Sequence, residues 1–114
     1  MVVETRAEGW CASACTFIIA SGTKGNRTID PYTFTLVHPI QRGGMFGSSC
    51  VEHVKEPKEA NDKAGNATLD LARDIYMKAT GKDKATVEKW LTCGNEQAGQ
   101  GQLLVDLGMA DRVE

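Results

Sequence analysis

Apolar or small residues alternate with charged ones from Val2 to Ala7, as they would in a half-buried strand, and Gly9 closes the run. The pattern then changes period. Ala12 to Ser21 reads as a nearly all-apolar, buried helix halted by Gly22 in the C′ position. Thr28-Ile29 is expected as a short strand before Asp30-Pro31. Thr33 to Val37, β-branched and aromatic, is expected as another, ended by His38-Pro39 because proline cannot donate to a ladder. Gln41 to Ser49 then reads as a glycine-rich loop, followed by a polar stretch from Val51 to Gly65 that carries little core. Asn66 is expected to cap an amphipathic helix to about Thr80, with Leu69, Leu71, Ala72, Ile75, Tyr76 and Ala79 on its apolar face. Asp83 starts a second helix to about Thr92, and Gln102 to Leu107 reads as a last short one. Short strands alternating with helices predict an α/β fold.

Composition narrows this picture. The 114 residues leave room for one domain and one core, so residues 1–114 are expected to form a single domain. An apolar fraction of 41% with 25% charged residues is that of a globular chain rather than a disordered or fibrous one. A net charge of −2 with scattered Lys and Arg argues against a nucleic-acid partner. The longest apolar run, around Phe17–Ala20, is far short of the roughly 20 residues that span a bilayer. Met1 to Arg6 lacks the apolar core of a signal peptide, and a strand is already under way, so the chain is expected to be a fragment, or a short variant, of a longer fold.

Four cysteines allow three full pairings, Cys11–Cys15 with Cys50–Cys93 among them; reduced cysteines serving as core residues are the alternative. Cys50-Val51-Glu52-His53 has ligand-like spacing and could join Cys11 and Cys15 at zinc. No second tight pair accompanies it, so no metal is expected. Asn26-Arg27-Thr28 and Asn66-Ala67-Thr68 match the glycosylation sequon, a triplet frequent by chance.

The chemistry concentrates in Gly9-Trp10-Cys11-Ala12-Ser13-Ala14-Cys15-Thr16-Phe17, where a strand-like run gives way to a helix-like one. Small residues around Ser13 let the backbone turn sharply and leave the hydroxyl at a helix N-terminus. That end supplies oriented backbone N–H groups suited to a developing oxyanion. His38, presented at the end of a strand, is a candidate general base for Ser13. Cys11 or Cys15 as nucleophile is the lesser reading.

Residues Ala12 to Arg27 resemble the nucleophile helix, and the turn after it, of the Clp protease proteolytic subunit family in the crotonase-like superfamily. Leu36-Val37-His38 resembles the family's histidine strand, Gly43-Gly44 its glycine pair, Thr80-Gly81 its threonine-glycine, and Leu107-Gly108-Met109-Ala110-Asp111 its closing signature. The resemblance covers the C-terminal two-thirds or so of a family domain. It implies a Clp-like α/β fold of short parallel strands and helices, and a serine peptidase with Ser13 as nucleophile, His38 as base and the Ala14 N–H as oxyanion donor. By this resemblance the family's N-terminal strands, with the glycine-rich loop that supplies half of the oxyanion hole, have no counterpart here, so a partner chain would have to supply the loop. Family spacing for the third triad residue lands at Asn95 or Glu96, with Glu88 a weaker choice. Gly43, Gly44 and Phe46 could form an extended edge for a peptide substrate.

The family's ring assemblies imply a homo-oligomer through the Asn66–Thr80 region, and no cofactor. The Cys-Ala-Ser-Ala-Cys variant looks more like exported relatives, so a periplasmic or exported location is expected. Two rivals remain: a non-catalytic binding or assembly module that keeps the fold, and an acyl-CoA enzyme of the same superfamily, against which Ser13 and His38 speak.

Overall fold

The computed structural model describes residues 1–45 and 47–114. Its elements run β1 (Thr5–Ala7), β2 (Trp10–Ala12), α1 (Ala14–Ala20), β3 (Arg27–Ile29), β4 (Phe34–Val37), β5 (Gln41–Gly44), β6 (Gly47–Cys50), α2 (Ala60–Thr80), α3 (Lys84–Trp90), β7 (Gln97–Gly99), α4 (Gly101–Asp106) and β8 (Arg112–Val113). One sheet, ordered β1-β3-β8, is wholly parallel. The second, ordered β2-β4-β7, is parallel between β2 and β4 and antiparallel between β4 and β7. The fold is α/β with short parallel strands and intervening helices, as expected.

The chain steps from the first sheet to the second twice. Between β1 and β2 it turns at Gly9, whose φ of +75° is open to glycine and costly for other residues. Between β3 and β4 it turns at Asp30–Thr33, where the Asp30 carboxylate accepts from the Tyr32 N–H at 2.8 Å. Both steps carry the strands into α1 and His38, so the two connections set the candidate chemistry side by side.

Apolar burial holds the layers together. Ile19 and Ala20 of α1, Leu69, Ala72, Tyr76 and Ala79 of α2, Val87 and Trp90 of α3, and Leu104 and Met109 near the C-terminus form one core. Tyr76 stacks on Phe17 with centroids 4.3 Å apart and meets the edge of Trp90 at 5.8 Å. At the edge of this core the buried Arg27 pairs with the half-buried Asp111. The Arg27 guanidinium donates to Asp111 through Nε at 3.0 Å and Nη2 at 2.8 Å, and through Nη1 to the carbonyls of Ala20 at 3.2 Å and Ala79 at 2.9 Å. It thereby closes the last turns of α1 and α2, whose carbonyls favour a cation. The Arg27 guanidinium, with N–H donors from Gly25 and Arg27, holds the Asp111 carboxyl down at about 2.

Two expectations are corrected, and one strand, β7, is unforeseen. Gln41 to Ser49 is not a loop but the body of a hairpin, pairing Gln41 with Cys50, Arg42 with Ser49, Gly43 with Ser48 and Gly44 with Gly47. Its base is held by Val51 N–H donating to the Ile40 carbonyl at 2.8 Å and by the Cys50–Cys93 disulfide. Phe46 lies outside the described residues. Asn66 does not begin α2, which starts six positions earlier at Ala60. Its buried amide instead donates to the Val54 carbonyl at 2.7 Å and accepts from the Val54 N–H at 2.8 Å. A side chain suited to capping has been spent on an extended segment lying against the helix. Gly65 admits that approach: a Cβ there would stand 3.1 Å from both Arg42 Nη2 and Val51 Cγ1. β7, with no β-branched residue, is a strand only because β4 pairs with it, an instance of tertiary context overriding propensity. Asp83 caps α3 as expected, accepting from the Thr86 N–H at 2.9 Å.

Candidate active site

β2 and β4 lie side by side and parallel, with Ala12 opposite Leu36. One residue on, the Ser13 N–H donates to the Leu36 carbonyl at 2.9 Å. Ser13 therefore stands at the carboxyl end of β2, and His38 follows two residues after Leu36 on the neighbouring strand. Adjacent strands are about 4.8 Å apart, and carboxyl strand ends are where open α/β sheets place ligands. Ser13 and His38 are both half-buried, and Ala14 is exposed.

Ser13 has φ 55° and ψ −114° and is the only non-glycine residue with positive φ among the described residues. A serine held there is strained, and such a conformation persists only where its surroundings fix it. Three contacts do so. The N–H is tied to Leu36. The carbonyl accepts from the Thr16 N–H at 3.0 Å and from the Thr16 hydroxyl at 2.6 Å. The Cys11–Cys15 disulfide, with Cα atoms 5.1 Å apart, brackets the turn. Although Ser13 occupies the N-cap position of α1, its side chain makes no capping hydrogen bond, so the hydroxyl is not spent on the helix.

The His38 ring is oriented by its own neighbour. Its Nδ1 lies 2.7 Å from the Pro39 carbonyl. A carbonyl only accepts, so Nδ1 carries the proton and Nε2 keeps its lone pair in the neutral ring. Glu96 directly precedes β7 and His38 directly follows β4, each next to the Val37–Gln97 pair that ends the ladder between them. Glu96 is exposed. The Asn95 amide is directed elsewhere, donating to the Lys89 carbonyl at 3.0 Å. Glu88 lies within α3, 3.7 Å from Lys84 and 3.8 Å from Arg73. Ala14 opens α1, where the first N–H groups of a helix lack intrahelical acceptors, so its amide can meet an oxyanion.

Gly43 and Gly44 pair with Ser48 and Gly47 within the hairpin that follows His38, rather than in a free loop. Among the described residues no group of His, Cys, Asp and Glu is placed to hold a metal ion, and all four cysteines are in disulfides. No helix among them is long and apolar enough to cross a membrane. Sequence reading missed three partners of the site: the carbonyls of Leu36 and Pro39, which carry no side-chain signal, and Thr16. The last does leave a trace, as the one polar residue in the apolar run Ala14–Ala20.

The model of the Clp protease family matches residues 2–113. No curated protein matches the sequence. Among solved structures, a peptidase from Plasmodium falciparum superposes with a TM-score of 0.75 at 18% identity, over 99% of this chain and 54% of its own. The chain thus spans about half the length of that relative, and at such an identity the likeness is one of fold. Since the family model matches the chain nearly end to end, over the strand–serine–helix turn and the histidine strand alike, the chain belongs to the Clp protease family.

Proposed function

We propose that this chain carries a serine peptidase site. The observation behind this reading is the positive-φ turn at Ser13, hydrogen-bonded to the strand that delivers His38 two residues later. Ser13 Oγ attacks the peptide carbonyl while His38 Nε2 takes its proton. The resulting oxyanion accepts from the Ala14 N–H. On collapse, Nε2 returns the proton to the departing amine, leaving an acyl-enzyme that water hydrolyses by the same route. The Pro39 carbonyl holds the starting tautomer, and Glu96 is the carboxylate set to stabilise the imidazolium. A peptide adds along the β5–β6 hairpin through its backbone. The reaction calls for no metal or organic cofactor. Homo-oligomerisation, with a neighbouring chain completing the oxyanion hole, belongs to the same reading. The two disulfides support an oxidising, periplasmic or extracellular setting.

One observation favours a second reading, a binding or assembly module. Among the described residues Ala14 is the oxyanion donor beside Ser13, and removing one such donor typically costs on the order of 10²–10³ in turnover. Hydrolysis of a fluorogenic peptide library separates the two. Under the peptidase reading, Ser13→Ala and His38→Ala each lower the rate by about 10³-fold or more. Peptide binding without hydrolysis in every assembly state supports the module.

A further inference from the structure

Ser13 C=O and Ala14 N–H belong to one peptide group. That group is planar and trans, so its carbonyl and its N–H point in opposite directions along one axis. Whatever holds the Ser13 carbonyl therefore also aims the Ala14 N–H. The holder is a chain of two buried hydroxyls. Thr16 Oγ1 lies 2.6 Å from the Ser13 oxygen and 2.6 Å from Tyr76 Oη. A carbonyl cannot donate, so the single Thr16 hydroxyl proton goes to Ser13, and Tyr76 must donate to Thr16. Both side chains are buried, Thr16 at 0% and Tyr76 at 1% exposure. Burial pushes the Tyr76 phenol up to about 12, so it stays a donor across the working range of pH. Phe17 and Trp90 fix its ring. The direction of the chain is thus unambiguous, from α2 to Thr16 to the nucleophile turn.

We propose that Thr16 and Tyr76 are positioning residues, a buried hydroxyl relay that aims the Ala14 N–H at the oxyanion by fixing the Ser13 peptide plane. The proposal rests on the peptidase reading for its catalytic consequence but not for its geometry. Neither residue touches substrate, so the relay acts on the chemical step and leaves peptide binding alone. Thr16 does more than Tyr76, because it bonds the peptide group directly while Tyr76 only orients Thr16.

The test uses Thr16→Val, Thr16→Ser, Tyr76→Phe and the double variant Thr16→Val/Tyr76→Phe, which leaves no buried hydroxyl without a partner and so keeps the fold measurable. Thr16→Val and the double variant are expected to lower the maximal rate of Ser13 phosphonylation by a fluorophosphonate about ten- to a hundredfold, with probe affinity within about twofold. Tyr76→Phe is expected to lower it about threefold to tenfold, and Thr16→Ser to restore it to within about threefold of wild type. A wild-type maximal rate in the folded double variant overturns the proposal. A second readout needs no activity. The Ser13 carbonyl carbon resonance should move upfield in Thr16→Val and return in Thr16→Ser. An unmoved resonance overturns the relay even if Ser13 labels normally. A wild type that shows the shift pattern but never labels defeats the peptidase reading and leaves the relay geometry supported.

Discussion

Cys11–Cys15 and Cys50–Cys93 are the same bond in two different settings. The first spans four positions around Ser13, and the second spans 43, joining the end of the β5–β6 hairpin to the turn after α3. In the chain-entropy account the stabilisation grows with loop length, to about 2 kcal/mol for the short loop and about 4 kcal/mol for the long one. The short bond thus contributes less to folding and more to local geometry, because it brackets a residue held at positive φ. The long bond fixes a hairpin with three glycines in its strands and few side chains to pack. At the far end of α1 from Ser13 the long-range closure is non-covalent, supplied by Arg27 and Asp111 across 84 positions. One part of the molecule is organised for position, the other for persistence.

The contrast can be broken most easily where the energies are largest. Replacing both Cys50 and Cys93 by Ala should lower stability by about 4 kcal/mol in urea titrations, yet folded molecules should label at Ser13 within about threefold of wild type. A matching loss of labelling per folded molecule would erase the distinction. Arg27→Met comes next. It leaves Asp111 and the helix-end carbonyls of Ala20 and Ala79 without their cation, and should cost about 3 kcal/mol by the same titration. Replacing Cys11 and Cys15 by Ala should cost only about 2 kcal/mol while slowing Ser13 labelling about tenfold or more. Stability lost without any slowing would show that the short bond does not position the serine.

The smallest effect is a pH dependence. The Asp111 carboxyl is held at about 2 by Arg27, below the ordinary value of about 3.9 in an unfolded chain. A depressed folded value means stability that is present above about pH 4 and lost as pH falls toward 2. Melting followed between pH 5 and 2 should therefore fall less steeply for Asp111→Asn than for wild type. An identical slope would remove Asp111 from the acid-labile groups.

How much of this was legible in the residues depended on whether the signal was local. α1 and β4 are contiguous apolar or β-branched runs, and each appears within about two residues of where periodicity puts it. Ser13 stood out as a serine between small residues at the change of period, and His38 as the residue before a strand-ending proline. The hairpin at 41–50 was hidden because its glycines read as a loop, whereas pairing across the strands makes it a ladder. The start of α2 was misplaced because Asn66 is a good cap in the abstract and a clamp on Val54 in fact. The relay was not legible, since Thr16 and Tyr76 meet across 60 positions. Nor was the orientation of His38, which a backbone carbonyl supplies and no side-chain identity encodes.

The most direct test of the central claim is fluorophosphonate labelling with the adduct mapped by mass spectrometry. A single adduct on Ser13 is expected, absent in Ser13→Ala and slowed by about 10³-fold in His38→Ala. A folded, disulfide-intact protein that takes no adduct at Ser13 in any assembly state, or reacts as fast without His38, would contradict that claim.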